Sequence, residues 1–557
     1  MELALTSAQF SYRTAEKPQL SLDALSLTSG SHWVVVGPNG SGKSTLLQLL
    51  AGRLTPQTGS LALDGRRLGQ ELTPPQFFQQ VAFATQDAEE SLVASLVKDE
   101  VAFGPRNLGL DPATVAHRVQ ESLVEVGLEA LSSQRTDSLS GGQLQRLQLA
   151  GLLALDPQFL LLDEITSSLN AAAAHTIRHL LSSGAPASCG QLLSTHDLVE
   201  VCQADKALLM HDGRIHRILS PQQLFEDEDL WQLMGYHCSF LGQVARTLAL
   251  AQMPVSSITD PESCLQAWRQ AGFSVPALPP TPTTHPDASA GLTLSHVTLK
   301  SETSTLLDDV SLEVPAGQIT LLLGASGAGK TCTCRLAAGL LSADKGQVCL
   351  QGRPVEAGMV AYSAQRSEDM LFCNSVAEDV AFGPRLAGLS GQALENRVAE
   401  AFEAVGFDAS LAQRSPYELS GGQRRKAALA AVIAQQAPAL ICDEPCANLD
   451  PWGVAHILKA LAAQARKGVA VLVTTHDPEP WLQVAHHVVI LEAGAVAWQG
   501  APWELEDKAP LAASAAGEPL ALRLRRELGR AAKASASDPA SKPLRRTSGD
   551  TGGAYDR

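Results

Sequence analysis

The apolar positions of this chain fall into short continuous runs that pass repeatedly into helical spacing. "HWVVV" from His32 and "QITLLL" from Gln318 each close on a glycine loop and lead into a helical pattern, so each predicts a buried strand, a tight turn and a helix. "FLLLD", ending at Asp163, and "ALICD", ending at Asp443, predict two further buried strands that run into acid at their carboxyl ends. "LSGGQLQRLQLAGLLA" from Leu139 and "LSGGQRRKAALAAVIA" from Leu419 predict long helices opened by a serine and two glycines. Strands alternating with helices indicate an α/β chain.

Every one of these elements occurs twice. "VAFGPRNLGL" (Val101 to Leu110) returns as "VAFGPRLAGL" (Val380 to Leu389) with eight of ten positions identical, and a repeat of that kind means one machine built twice. The offsets from Gln86 to Gln365, Ser140 to Ser420, Asp163 to Asp443 and His196 to His476 agree within one residue.

Length and composition fit this reading. The 557 residues suffice for two to four domains, and 45% hydrophobic with 18% charged residues describes globular protein. Acidic residues exceed basic ones by 58 to 42, which argues against a general nucleic-acid binder. The ten cysteines contain no CxxC pair and suit reduced thiols in a cytosol. Cys442 and Cys446 in "CDEPC" read as small packed side chains, because no His/Cys set with zinc spacing accompanies them. "MELALTSAQFSYR" lacks the form of a secretory signal, and no window reaches the uninterrupted apolar length of a membrane span.

The glycine loops carry the chemistry. Gly37 to Ser44 and Gly324 to Thr331 both satisfy G-x-x-x-x-G-K-[ST] between a strand and a helix. Such a loop wraps phosphate oxygens with backbone N–H groups at the positive end of a helix. The nucleotide-binding candidates are therefore Gly37, Pro38, Asn39, Gly40, Ser41, Gly42, Lys43, Ser44 and Thr45 in one copy. In the other they are Gly324, Ala325, Ser326, Gly327, Ala328, Gly329, Lys330, Thr331 and Cys332. Lys43 and Lys330 address the β- and γ-phosphates, while Ser44 and Thr331 offer a hydroxyl to magnesium. Asp163 and Asp443 are the expected carboxylate ligands of that ion. Glu164 and Glu444 are expected to orient or deprotonate the attacking water. The segments at Ser140, Gly142, Ser420 and Gly422 are expected to grip an anion with a hydroxyl and free N–H groups.

Together these segments resemble the ABC ATPase family over about 1–235 and 291–505. The resemblance implies two P-loop nucleotide-binding domains, each a RecA-like core with an antiparallel β subdomain and a helical signature subdomain. It makes Gln86 and Gln365 Q-loop glutamines with a place near the metal, and His196 and His476 switch histidines. It implies ATP and Mg2+ as cofactors, and head-to-tail pairing of the two domains within the chain around nucleotide. Tyr12 stands where the family places an aromatic ring against adenine, and Leu299 occupies the matching position in the second copy, which is expected to weaken stacking there. Ile165 and Asn170 replace the Pro and Asp that the second copy keeps as Pro445 and Asp450. Two hydrolysing sites of unequal efficiency are expected.

The doubled "FGP" segment narrows the resemblance to the ATPases of energy-coupling factor importers. There it implies a turn with an apolar anchor, Phe103 or Phe382, beside the groove for a membrane T component. Expected partners are that T component and a substrate-binding S component, with no nucleic acid, at the cytoplasmic face of the inner membrane. The substrate class is a vitamin or a transition-metal ion. Another ABC transporter, or a soluble tandem ABC protein acting on ribosomes or nucleic acid, are the alternatives. Residues 236–290 read as a short helical extension and Pro/Thr-rich linker, and 506–557 as a basic, disordered tail that begins with a short helix.

Overall fold

The computed structural model describes residues 1–12, 19–86, 88–167, 169–183, 188–271, 291–301, 304–447, 449–508, 510–514 and 517–536. Two compact units form, Met1–His237 with Leu241–Ala267, and Cys238–Phe240 with Trp268–Arg557. The Pro/Thr-rich stretch at 272–290 and the segment 537–557 lie outside the described residues.

In the first unit a six-stranded sheet runs in the order Arg214–Leu219, Lys206–His211, His32–Val36, Gly190–Ser194, Phe159–Asp163, Val81–Ala84. All neighbours are parallel except the outer pair Arg214–Leu219 and Lys206–His211. Val34, Val35 and Val36, and Phe159 through Leu162, are wholly buried, as unbroken apolar strands covered on both faces must be. A second, four-stranded antiparallel sheet takes the order Leu20–Thr28, Glu2–Phe10, Thr58–Leu63, Arg66–Arg67. The other unit repeats both sheets. Its parallel strands are ordered Ala361–Ser363, Ala439–Asp443, Ala470–Thr474, Ile319–Leu323, His487–Glu492, with Ala495–Gly500 antiparallel at the edge. The fold is therefore the expected α/β pair of nucleotide-binding domains.

Register is what makes this frame useful. Pairing of Phe159–Asp163 with Gly190–Ser194 sets Asp163 opposite Ser194, and the second sheet sets Asp443 opposite Thr474. Each acid thereby reaches the strand end beside a hydroxyl.

The "FGP" segments form helix, not a turn. They lie in Val97–Asn107 and Val376–Leu386, with Pro105 and Pro384 in the last turn. Proline removes one intrahelical hydrogen bond, yet the carbonyls of Gly104 and Pro105 still accept from Leu108 and Leu110. Burial of Val97, Val101, Ala102 and Pro105 outweighs the local turn preference. Gly104 permits the approach: a Cβ there would stand 2.7 Å from Leu155 Cδ2, and one at Gly383 would stand 2.8 Å from Gln435 Cγ.

After residue 505 the expected helix is present, and it packs into the core. Helix Leu520–Ala536 buries Ala521, Leu522, Leu524 and Leu528, and Leu522 joins the core containing Trp481, Leu505 and Leu511. Arg526 closes a two-pronged ion pair on Glu518. The leucines, spaced along one face, pack inside.

Gly59 and Gly346 occupy matching places beside a bulge in the neighbouring strand, at Ser7 (φ 49°) and His296 (φ 52°). Both have positive φ, and a Cβ would meet Thr6 O at 2.1 Å or His296 O at 2.3 Å. Gly59→Ala and Gly346→Ala are each expected to destabilise their unit by about 2–4 kcal/mol. Gly151→Ala, in an uncrowded helical position, should stabilise by about 0.5–1 kcal/mol. Calorimetric melting of the three variants checks both directions.

Candidate active site

Two clusters of charge sit at the carboxyl ends of the parallel sheets, where open α/β sheets bind ligands. In the first, Lys43 opens the helix Lys43–Leu50 and its Nζ donates to Gly37 O (2.9 Å) and Pro38 O (3.4 Å). The same Nζ lies 4.0 Å from Glu164 Oε1. Gln86 Nε2 donates to Glu164 Oε2 (3.4 Å), and His196 Nε2 lies 3.4 Å from Glu164 Oε1 and 3.2 Å from Asn39 Oδ1. Asp163 accepts from Ser194 Oγ (2.6 Å) and from the Ser44 hydroxyl. Gly37, Asn39, Lys43, Ser44, Gln86, Asp163, Glu164 and His196 are thus brought together.

The second cluster has the same parts and different contacts. Lys330 Nζ donates to Gly324 O (2.8 Å) and Ala325 O (3.0 Å). His476 Nδ1 pairs with Glu444 Oε2 at 2.8 Å. Asp443 Oδ1 accepts from Thr474 Oγ (2.5 Å), and Thr331 also bonds this carboxylate. Gln365 enters through its backbone carbonyl, which accepts from Arg425 Nη2 (3.0 Å).

Burial raises the carboxyl pKa of both Asp163 and Asp443, and their hydroxyl donors and lysines only partly oppose it. Burial likewise lowers Lys330, against the pull of Glu444 and Asp443. Burial alone would push Glu444 up and His476 down. Their contact reverses both, leaving Glu444 below its ordinary value and His476 above. Asp443 Oδ2 is buried without a hydrogen-bond partner among the described residues, which leaves an acceptor unsatisfied at the strand end.

Two features escaped the sequence reading. Glu164 and Glu444 have φ of 48° and 52°, a left-handed turn that costs a non-glycine residue roughly 1–3 kcal/mol. That turn redirects each side chain away from the strand line, toward lysine and histidine. Ser194 and Thr474 are the other omission. Their signal was a hydroxyl residue in both "STHD" and "TTHD", two positions before the histidine.

The Ser-Gly-Gly segments stand apart from these clusters within each copy. Ser140 and Ser420 cap the helices Gly141–Leu153 and Gly421–Ala434, in boxes closed by Gln143 and Gln423, with Gly142 and Gly422 in the first turn. Gln145 links the first helix to the site by donating to Gln86 O (3.0 Å). In the second copy Arg425 spans to both Gln365 O and Ala447 O.

Residues 21–167 and 307–447 match the family model described as ABC transporter. The chain belongs to the ABC transporter family. A relative in Bifidobacterium longum, named as an ABC transporter ATP-binding protein, is 32% identical across 86% of this chain and 64% of its own. This chain therefore spans less than two thirds of that relative. One in Methanosarcina mazei with the same description is 30% identical across 88% of this chain and 87% of its own. Among solved structures, cbiO1 from Clostridium perfringens, part of the ABC transporter complex cbiONQ, is 26% identical with a TM-score of 0.37. That match covers 40% of this chain and 92% of the other.

The chain is a tandem ABC ATPase whose two cassettes differ in their contacts. Tyr12 is 41% exposed and meets buried Phe10 edge to face at 4.8 Å. Leu299 instead packs on its own core. Asn170 and Asp450, despite their different charge, each cap the helix that follows. Glu164→Gln and Glu444→Gln are each expected to slow phosphate release, by unequal factors. The double variant should fall by roughly 100-fold or more, as measured by steady-state phosphate release.

Proposed function

We propose that this chain is the fused ATP-hydrolysing subunit of an energy-coupling factor importer. It works at the cytoplasmic face of the inner membrane and drives uptake of a vitamin or transition-metal ion through separate T and S subunits. The observation that carries this reading is the doubled V-A-F-G-P-R helix. In both copies its glycine faces the residue just past the end of the neighbouring helix, Leu155 or Gln435, while its phenylalanine faces out, Phe103 47% and Phe382 40% exposed. An outward ring on a helix anchored from behind is suited to an apolar partner.

The loop beside that helix is built to the same end. Glu100 accepts from Val93 N (3.0 Å) and Ala94 N (2.6 Å), and Asp379 accepts from Phe372 N and Cys373 N (both 3.0 Å). These bonds hold Val93 and Phe372 outward, and Phe372 meets Phe382 edge to face at 5.0 Å. No helix among the described residues is long and apolar enough to cross a membrane, so membrane work in this reading is done through partners.

In the proposed chemistry Lys43 and Lys330 neutralise phosphate oxygens, and Glu164 and Glu444 orient and deprotonate water. His196 and His476 hold those glutamates in place, with Gln86 beside Glu164. Magnesium fits the pairs Ser44 with Asp163 and Thr331 with Asp443, because an ion held largely by phosphate and water needs only a carboxylate and a hydroxyl from protein. When bound, it offsets charge on the β- and γ-phosphates.

Phe103→Asp and Phe382→Asp are each expected to cut co-purification with a multi-span membrane partner by tenfold or more, since each places a charge in an apolar contact. Affinity purification from detergent-solubilised membranes checks this. Recovery of the unaltered chain with ribosomes alone would exclude the importer reading.

A further inference from the structure

One buried carboxyl in the first copy has no place in the chemistry above. Glu200, on the short helix Leu198–Gln203, is 3% exposed. Its Oε1 accepts from Thr166 Oγ (2.8 Å), and its Oε2 accepts from Thr195 Oγ. Thr166 lies two residues after Glu164, and Thr195 immediately precedes His196. Thr195 Oγ is held in turn by Asp197 N (2.9 Å), and Asp197 pairs with Arg178 on the helix Ala171–Ser183. A single carboxyl therefore joins the loop behind the acid to the loop before the histidine.

The second copy lacks this join. Cys446 stands in place of Thr166 and Pro480 in place of Glu200. Thr475 donates to Asp477 O (3.0 Å). The buried acid there is Glu479, which faces Arg525 of the carboxy-terminal helix.

We propose that Glu200 is a positioning residue for hydrolysis at the first site, clamping the Glu164 loop to the His196 loop so that the two side chains keep their contact. The inference rests on Glu164 and His196 acting in hydrolysis. Two buried hydroxyls satisfied by one carboxyl hold both loops more rigidly than solvated contacts could, since losing the acceptor leaves buried donors without partners.

Burial, then repulsion by Asp197, pushes the Glu200 carboxyl up to about 8, with its two threonines and Arg178 opposing. The folded chain thus keeps a proton that the unfolded chain releases above its ordinary value of 4.5. Stability due to this group falls as pH rises from about 4.5 to about 8.

The test isolates the first site in a Glu444→Gln background. There Glu200→Leu and Thr166→Val are each expected to lower kcat about tenfold, with KM for ATP changed less than about twofold. Thr166→Ser, which keeps the hydroxyl, should retain kcat. The double variant Thr166→Val/Glu200→Leu should lose no more than either single one, since both break one clamp. In a Glu164→Gln background, where the second site works, Glu200→Leu should have no comparable effect. Melting of Glu200→Gln should decline less than that of the unaltered chain across the same pH range. Unchanged kcat at the first site, equal loss at both sites, or a loss confined to KM would overturn the clamp. An unaltered pH dependence of melting would do the same by showing a carboxyl that is not buried as described. Persistent first-site hydrolysis by Glu164→Gln/Glu444→Gln would instead overturn the catalytic reading, and the clamp with it.

Discussion

Charge held out of water at the end of a buried strand is the constraint on which this structure depends. A carboxylate in that position costs several kcal/mol unless it is paired and hydrogen-bonded. Asp163 and Asp443 meet the requirement through sheet register, which brings Ser194 and Thr474 alongside. They meet it also through the phosphate loops, whose lysine and hydroxyl approach from the other side. The apolar strands are therefore more than a core: they set the address to which the polar groups are delivered.

The two copies solve this problem with different wiring. Glu164 is contacted by Lys43, Gln86 and His196, whereas Glu444 pairs closely with His476. An amide, Gln145, ties the first signature helix to its site, and a guanidinium, Arg425, ties the second to two loops. Such differences alter the hydrogen bonding around each glutamate while the lysines and aspartates keep matching contacts. They give the expected inequality between the sites a specific set of contacts.

What could be read from the chain follows the range of the interactions. The phosphate loops, the acidic strand ends and the duplication were legible because each is written within about a dozen consecutive residues. The helix containing Phe103 was not, because Gly-Pro reads locally as a turn while the deciding contact is Leu155, far along the chain. The partnership of Asp163 with Ser194 was hidden for the same reason, being a matter of strand order. The left-handed turn at Glu164 and Glu444 leaves no trace in composition at all. The packing of the carboxy-terminal helix was hidden too, because the core that receives its leucines is built from distant segments.

Joining both cassettes in one polypeptide has an outcome for inheritance. Every molecule leaves the ribosome with one of each, so the ratio between them is settled by translation instead of by assembly. A change tolerated in one half, such as the missing ring at Leu299, is always accompanied by the intact feature at Tyr12. Fusion thereby lets the halves drift apart in sequence while every copy of the protein keeps the full set of working parts.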